Sequence, residues 1–406
     1  MLNKKICVVG LGYIGLPTAA LLATNGYDVA GIDLNKDVVN TINKGQIHIV
    51  EPDLDAFVRS AVTLGKLRAF TSPQIADIYI ICVPTPFHPG EGIPQPNIDY
   101  VVSAANSISG MLKEGDIVVL ESTSPVGTTR RIAEIFRNVG VETGKIHIAY
   151  CPERVLPGKI MTELVGNDRV VGGLTPEATG QASAFYKTFV KGAVLETDAA
   201  TAEMCKLAEN SYRDVNIAFA NELSLICSKS GIDVWKLIEL ANHHPRVNIL
   251  QPGTGVGGHC IAVDPWFIVA SDPDNAKIIR TAREVNNRKT EWVTSEIMAA
   301  ASEVTPKNGQ NPKIACLGLA FKPDIDDLRE SPAMQIALNL KALGFDIIAV
   351  EPNIQSHPIL ELAGIEVAIE SADVVAILVK HREFIHAARW GAMKGLILDF
   401  CGVGEH

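Results

Sequence analysis

Lys4-Lys5-Ile6-Cys7-Val8-Val9-Gly10-Leu11-Gly12-Tyr13-Ile14-Gly15 decides the fold. Residues 4–9 read as a buried parallel strand. A glycine turn follows, then an apolar helix from about Ile14 to Asn25. In this GxGxxG pattern Gly10 permits the tight turn. Gly12 lets backbone approach a pyrophosphate, and Gly15 lets helix pack on strand. The helix N-terminus then faces the phosphates. A second strand, 27–32, ends at Asp33, 18 residues past Gly15. An acid there accepts from a ribose 2′-hydroxyl and repels a 2′-phosphate, which favours NAD over NADP. A glycine turn with no ligand is the alternative.

Working outward, the runs 77–83 and 116–121 read as further buried strands. Strands alternating with helices predict a doubly wound parallel sheet. Two strand ends, Val83-Pro84-Thr85-Pro86 and Glu121-Ser122-Thr123-Ser124-Pro125, set hydroxyls beside proline-stiffened turns. They form either the rim of the dinucleotide site or ordinary strand-end turns. Thr201 to Lys229 is free of Gly and Pro. It predicts one long helix with an apolar stripe of Leu207, Val215, Phe219, Leu223 and Ile226. Such a helix bridges domains or forms a dimer face. A further helix is expected over 276–303, and a polar linker over 303–312. A βαβ pattern then returns. Strand 313–317 leads to a loop over 318–330. A helix follows with Ser331 as N-cap and Pro332 at its first position. Strands are expected at 345–350, ending at Glu351, and at 373–379 and 395–399. The fold class is α/β: two Rossmann-like doubly wound parallel-sheet domains joined by a central helical domain. Their expected bounds are 1–195, 196–305 and 306–406.

The chain has 406 residues, 47% hydrophobic and 20% charged, with a formal net charge of −10. That length suits two or three domains. The acidic balance disfavours non-specific nucleic-acid or anionic-membrane binding. No apolar stretch is long enough to span a membrane and no signal peptide is visible, which predicts a cytoplasmic protein. The eight cysteines contain no CxxC pair, so neither a metal nor a disulfide framework is expected.

Gly253-Thr254-Gly255-Val256-Gly257-Gly258-His259-Cys260-Ile261-Ala262-Val263-Asp264 carries the chemistry. Its glycines let backbone come close to a ligand. A cysteine held there suggests covalent catalysis, with glycine amides stabilising an oxyanion. A neighbouring cation is needed to favour the thiolate. Lys206, Asn210 and Arg213 share one helical face at i, i+4 and i+7. That stripe faces either substrate or solvent.

These motifs, with Pro152-Glu153-Arg154 and Gly318-Leu319-Ala320-Phe321-Lys322-Pro323-Asp324, resemble the UDP-glucose/GDP-mannose dehydrogenase family over essentially the whole chain. Arg213–Glu222 and His244–Leu250 are most similar to its UDP-N-acetylmannosamine branch. The resemblance implies two successive NAD-linked oxidations at C6 of a UDP-sugar, releasing a uronic acid for a surface polysaccharide or other glycan. It implies Cys260 as nucleophile, forming a thiohemiacetal and then a thioester. Lys206 would stabilise the oxyanion, assisted by Asn210. Asp264 or a water ordered by Thr123 would remove the first proton, and Glu153 would activate water for hydrolysis. Cofactor contacts implied are Gly10, Gly12, Tyr13, Ile14, Gly15, Asp33, Thr85, Thr123 and Arg329. Sugar or nucleotide contacts implied are Arg154, Val155, Lys206, Asn210, Arg213, His244, Arg246, Gly257, Phe321 and Lys322. Arg213, Arg246 and Lys322 are chemically suited to a diphosphate; surface salt pairing is the alternative. The resemblance also implies a homodimer or higher homo-oligomer. Two departures stand out. Thr254 replaces a frequent Pro, which predicts a looser loop. Cys401 replaces a frequent Lys, which removes a basic contact near the C-terminus.

Overall fold

The computed structural model describes residues 4–88, 90–258, 260–304, 311–385 and 395–404. His259 lies outside them, as do 305–310 at the expected linker. The chain divides into two compact units, 1–209 and 210–406.

The first unit is built on one sheet. Its strands are β1 (Lys5–Val9), β2 (Asp28–Ile32), β3 (Leu67–Phe70), β4 (Ile78–Ile81), β5 (Ile117–Leu120), β6 (His147–Tyr150), β7 (Arg169–Gly173) and β8 (Val194–Asp198). They lie in the order β3-β2-β1-β4-β5-β6-β7-β8. The pairings are parallel as expected, except that β6 and β7 run antiparallel. Strands β4 and β5 are buried throughout, which is why they read as continuous apolar runs. Apolar cores cover both faces of the sheet. Nine residues of the helix Gly15–Thr24 are buried, several of them in one of these cores, so its pattern shows little amphipathicity.

The helix Ala199–Ser230 begins in the first unit and continues into the second. Its expected stripe is not uniformly buried. Leu207 is buried and Val215 and Leu223 are half-buried, whereas Phe219 and Ile226 are more than half exposed.

The second unit holds the helix Lys277–Glu303 and a smaller sheet. Strands β9 (Lys313–Leu317), β10 (Asp346–Val350), β11 (Val374–Ile377) and β12 (Leu396–Asp399) lie in the order β10-β9-β11-β12, all parallel. Between β9 and β10 runs the helix Pro332–Ala342, capped as expected by Ser331, whose hydroxyl accepts from the Met334 amide.

Both sheets reverse their strand order beside a glycine, the place where such sheets bind ligands. In the first, Gly10 follows β1 at φ +93°, and a Cβ there would sit 2.5 Å from the Cys82 carbonyl oxygen beyond β4. In the second, Gly318 follows β9 at φ +91°, and a Cβ would sit 2.5 Å from Val379 Cβ beyond β11.

Candidate functional site

The first unit presents a dinucleotide cradle. A Cβ on Gly15 would lie 1.8 Å from the Gly10 carbonyl oxygen, so helix and turn touch as the motif requires. A Cβ on exposed Gly12 would meet nothing within 4 Å, which leaves room for a pyrophosphate. Tyr13 and Ile14 are half-buried at the start of the helix. Asp33 closes the turn: its Oδ2 accepts from the Leu11 amide at 3.3 Å and its Oδ1 from the Asn35 amide at 2.9 Å. It is only partly buried, with acceptor capacity left for a ribose diol. These residues fit NAD, the cofactor expected from the sequence. The two hydroxyl-bearing strand ends meet, because Thr85 Oγ1 donates to the Thr123 carbonyl at 2.7 Å.

Two acids already singled out in the sequence, Glu121 and Glu153, are buried in polar surroundings. Cys82 Sγ donates to Glu121 Oε2 at 3.2 Å, and the Tyr186 hydroxyl to Glu121 Oε1 at 2.6 Å. Burial pushes the Glu121 carboxyl above its ordinary range and the Cys151 thiol up to about 12. Glu153 is 7% exposed. Its Oε2 pairs with Arg169 Nη1, and its Oε1 accepts from the Arg154 amide at 2.7 Å. Arg154 reaches Glu209 at 2.8 Å, and Val155 is half-buried beside it. Arg169 and Glu209 had no sequence signal beyond their charge.

The second unit presents the cysteine. Five of the eight cysteines are buried and two half-buried; Cys260 is the exposed one. Its carbonyl accepts from the Val263 and Asp264 amides at 3.0 and 2.8 Å, placing the thiol one turn before the helix Asp264–Ser271. Asp264 is buried and accepts from Asn210 Nδ2 at 2.5 Å. The face shared by Lys206, Asn210 and Arg213 is therefore graded: Asn210 buried, Lys206 half-buried one turn earlier, Arg213 exposed.

Side chains clamp the glycine loop. The Gly253 amide donates to Asn221 Oδ1 at 2.9 Å, and Asn221 joins the buried Asn286, Asp214 and Arg283. Asn221 was not foreseen. Thr254 is buried rather than loose: its carbonyl accepts from Thr290 Oγ1 at 3.0 Å and its hydroxyl donates to the Leu378 carbonyl at 3.4 Å. Hydrogen bonds do there what a proline ring would do by fixing φ. A Cβ on Gly257 would lie 2.3 Å from the Glu330 carbonyl oxygen, and one on Gly258 2.9 Å from the Phe321 ring. Phe321 is thereby packed against the Cys260 loop, with Lys322 half-buried next to it.

The remaining candidates are more peripheral. His244 and Arg246 are exposed, and the Arg246 amide donates to His244 Nδ1 at 3.3 Å. Arg329 makes a bidentate pair with Asp327 at 2.8 and 2.6 Å. Cys401 is buried, its thiol directed at the Ile377 carbonyl at 3.7 Å, while Lys380 Nζ donates to the nearby Gly402 carbonyl.

Residues 4–190, 200–288 and 315–403 match the NAD binding, central and UDP binding domains of the UDP-glucose/GDP-mannose dehydrogenase family. The chain is 55% identical to the UDP-N-acetyl-D-mannosamine dehydrogenase of Escherichia coli (strain K12), over 93% of this chain and 94% of that one. It is 52% identical to the NDP-N-acetyl-D-galactosaminuronic acid dehydrogenase of Ralstonia nicotianae, over 94% and 92%. The solved UDP-N-acetyl-mannosamine dehydrogenase Cap5O from S. aureus superposes with a TM-score of 0.89 at 41% identity, covering 99% of this chain and 96% of that one. With family matches running almost from end to end and a relative 55% identical over 93% of the chain, the chain belongs to the UDP-glucose/GDP-mannose dehydrogenase family, whose cofactor is NAD.

Proposed function

We propose that this protein oxidises C6 of UDP-N-acetyl-D-mannosamine through two two-electron steps to UDP-N-acetyl-D-mannosaminuronate. The observation that carries this reading is Cys260, exposed in a clamped glycine loop one turn from the buried Asn210–Asp264 pair. NAD, when bound at the Gly10–Gly15 turn, supplies the hydride acceptor. Asp264, or a water ordered by Thr123, takes the C6 hydroxyl proton as C6 becomes an aldehyde. Cys260 Sγ then adds to that carbon, and the oxygen of the thiohemiacetal is stabilised by Lys206 and Asn210. Loss of the second hydride from C6 leaves a thioester. Water activated by Glu153 cleaves its C–S bond, giving the carboxylate and returning the thiol. The diphosphate is met by Arg213, Arg246 and Lys322.

The test is NADH formed per UDP-N-acetyl-D-mannosamine consumed, at limiting sugar and excess NAD. Two NADH and an acidic product are expected; one NADH would reduce the enzyme to a two-electron dehydrogenase and Cys260 to a structural residue. The high identity to the Ralstonia relative favours, as a second reading, the same chemistry on another N-acetylated nucleotide sugar. Turnover of such a sugar in preference to the mannosamine substrate would decide for it.

The reading includes three functional parts at 1–195, 196–305 and 306–406, and a cytoplasmic location. Among the described residues no helix is long and apolar enough to cross a membrane. It also includes a homodimer through the Ala199–Ser230 helix. Phe219, Ile226 and Ile278 are all more than half exposed, and an apolar groove runs between Phe219, Val215 and Val285. Light scattering showing a monomer would remove the dimer from the reading.

A further inference from the structure

The loop from Gly318 to Glu330 carries Phe321 and Lys322, yet it is irregular and backbone-strained. Asp324 and Glu330 adopt positive φ, +61° and +51°, which non-glycine residues hold only when their surroundings compel them. At Glu330 the compulsion is packing against Gly257. At Asp324 it is a fully buried histidine.

His381 lies 0% exposed beyond the end of β11. Its Nδ1 accepts the Asp324 amide at 2.9 Å, so the ring is protonated on Nε2, which faces Glu351 Oε2 at 3.1 Å. Glu351, at the end of β10, also accepts the Leu319 and Ala320 amides at 2.7 and 2.9 Å. Asp324 in turn accepts the Arg382 amide at 3.0 Å. Three amides on one side of the loop, at 319, 320 and 324, therefore end on this acid–imidazole pair. On the other side Phe321 presses on Gly258, two residues before Cys260. Ligand atoms of Asp324, His381 and Glu383 lie within 4.8 Å of one another, the spacing of a metal cluster. Both nitrogens of His381 are already engaged within the fold, so that cluster is a loop anchor.

Resting on the proposed function, we infer that His381, acting through Glu351 and Asp324, is a positioning residue that holds Phe321 and Lys322 in place for the nucleotide-sugar substrate. It touches no reacting atom. Its loss raises the sugar KM more than it lowers kcat, and it leaves the cofactor KM alone.

The test compares His381→Phe, which keeps the ring packing on Phe384 but has no nitrogen, with His381→Gln, which offers both an acceptor and a donor. The expected result is a rise of about tenfold or more in sugar KM for His381→Phe, an NAD KM within twofold, and partial rescue by His381→Gln. A sugar KM within twofold of the parent would overturn the inference. So would equal damage to the sugar KM and the NAD KM. Should the phenylalanine variant fail to fold, amide hydrogen exchange on the unmodified protein decides: slow exchange at 319, 320 and 324 is expected, and exchange at the rate of a free loop refutes the anchor. Parent turnover is measured in the same assay. Its absence would sink the proposed function, while the exchange result would still judge the anchor separately.

Discussion

Lys289 offers a sharp test of the second unit's energetics. It is 2% exposed in the helix Lys277–Glu303, its Nζ donating to Ser224 Oγ at 2.8 Å and lying 4.0 Å from the Trp292 ring centroid. Burial pushes its pKa from 10.5 down to about 7, against a weaker opposing pull from Glu296. At about 1.36 kcal/mol per pH unit, that drop corresponds to roughly 5 kcal/mol of cost for keeping the ammonium buried. The sign follows from proton counting. Below pH 7 folded and unfolded chains both carry the proton, and the cost is complete. Between pH 7 and 10.5 the unfolded chain keeps a proton that the folded chain has shed, so stability rises with pH. Above 10.5 the cost is gone. Lys289→Met keeps the stem's packing and removes the charge, at a loss of about 1 kcal/mol for the Ser224 hydrogen bond. Ser224 still donates to the Asn221 carbonyl. We expect the variant to be about 3 kcal/mol more stable at pH 6, after allowance for relaxation around the charge. For a unit of about 200 residues this is roughly 6–12 °C in Tm. At pH 10 the gain should be gone. Thermal or urea unfolding of both proteins at pH 6, 8 and 10 measures it. A variant-minus-parent difference that does not change with pH would show that Lys289 stays charged in the folded state and would refute the reasoning.

Three further predictions concern the two loops. Gly12→Ala should fold with an unchanged Tm, since its Cβ meets nothing, yet weaken NAD binding about tenfold or more; Gly15→Ala should lose both, because its Cβ collides with backbone. Fluorescence titration with NADH beside a melting curve separates the two outcomes. Gly257→Ala should lower kcat/KM at least about tenfold while Gly253→Ala, with open space around it, should cost little; equal effects would argue against a tightly clamped loop. Cys260→Ser should abolish steady turnover and keep NADH affinity, and full activity would exclude the covalent route.

The sequence made legible whatever depends on neighbours in the chain. β1, the Gly10–Gly15 turn, β2 and Asp33 fall where periodicity and glycine placement put them, and the Ser331 cap and Pro332 behave as their chemistry demands. Partners far apart in sequence were not legible. β7, which ends in Gly172 and Gly173, was not foreseen. They are glycines because Asp198 and Thr179 backbone comes within 2.2 and 2.4 Å of where a Cβ would stand. Arg169 lies in no motif, yet it is 1% exposed and paired with Glu153.

Asp33 and Glu351 bring the same limit to the site itself. Each is an acid at the end of the second strand of a βαβ unit, and each accepts the amide that follows the turn glycine, Leu11 in one case and Leu319 in the other. By position they are equivalents, and a motif reading would give both to a ribose. Hydrogen-bond capacity separates them. Asp33 holds two amides and remains partly exposed. Glu351 is 4% exposed and takes the Leu319, Ala320 and Asn353 amides, the Asn353 side chain and the His381 ring. Burial pushes its pKa up, but the His381 ring and the Leu319 and Ala320 amides outweigh it and hold the pKa at about 2. An acid with no lone pair left and no solvent beside it has nothing to offer a ribose. The two sheets share a strand plan but not a use for it. The first leaves its strand-end acid open to a ligand, and the second spends that acid on shaping the loop that carries Phe321 and Lys322.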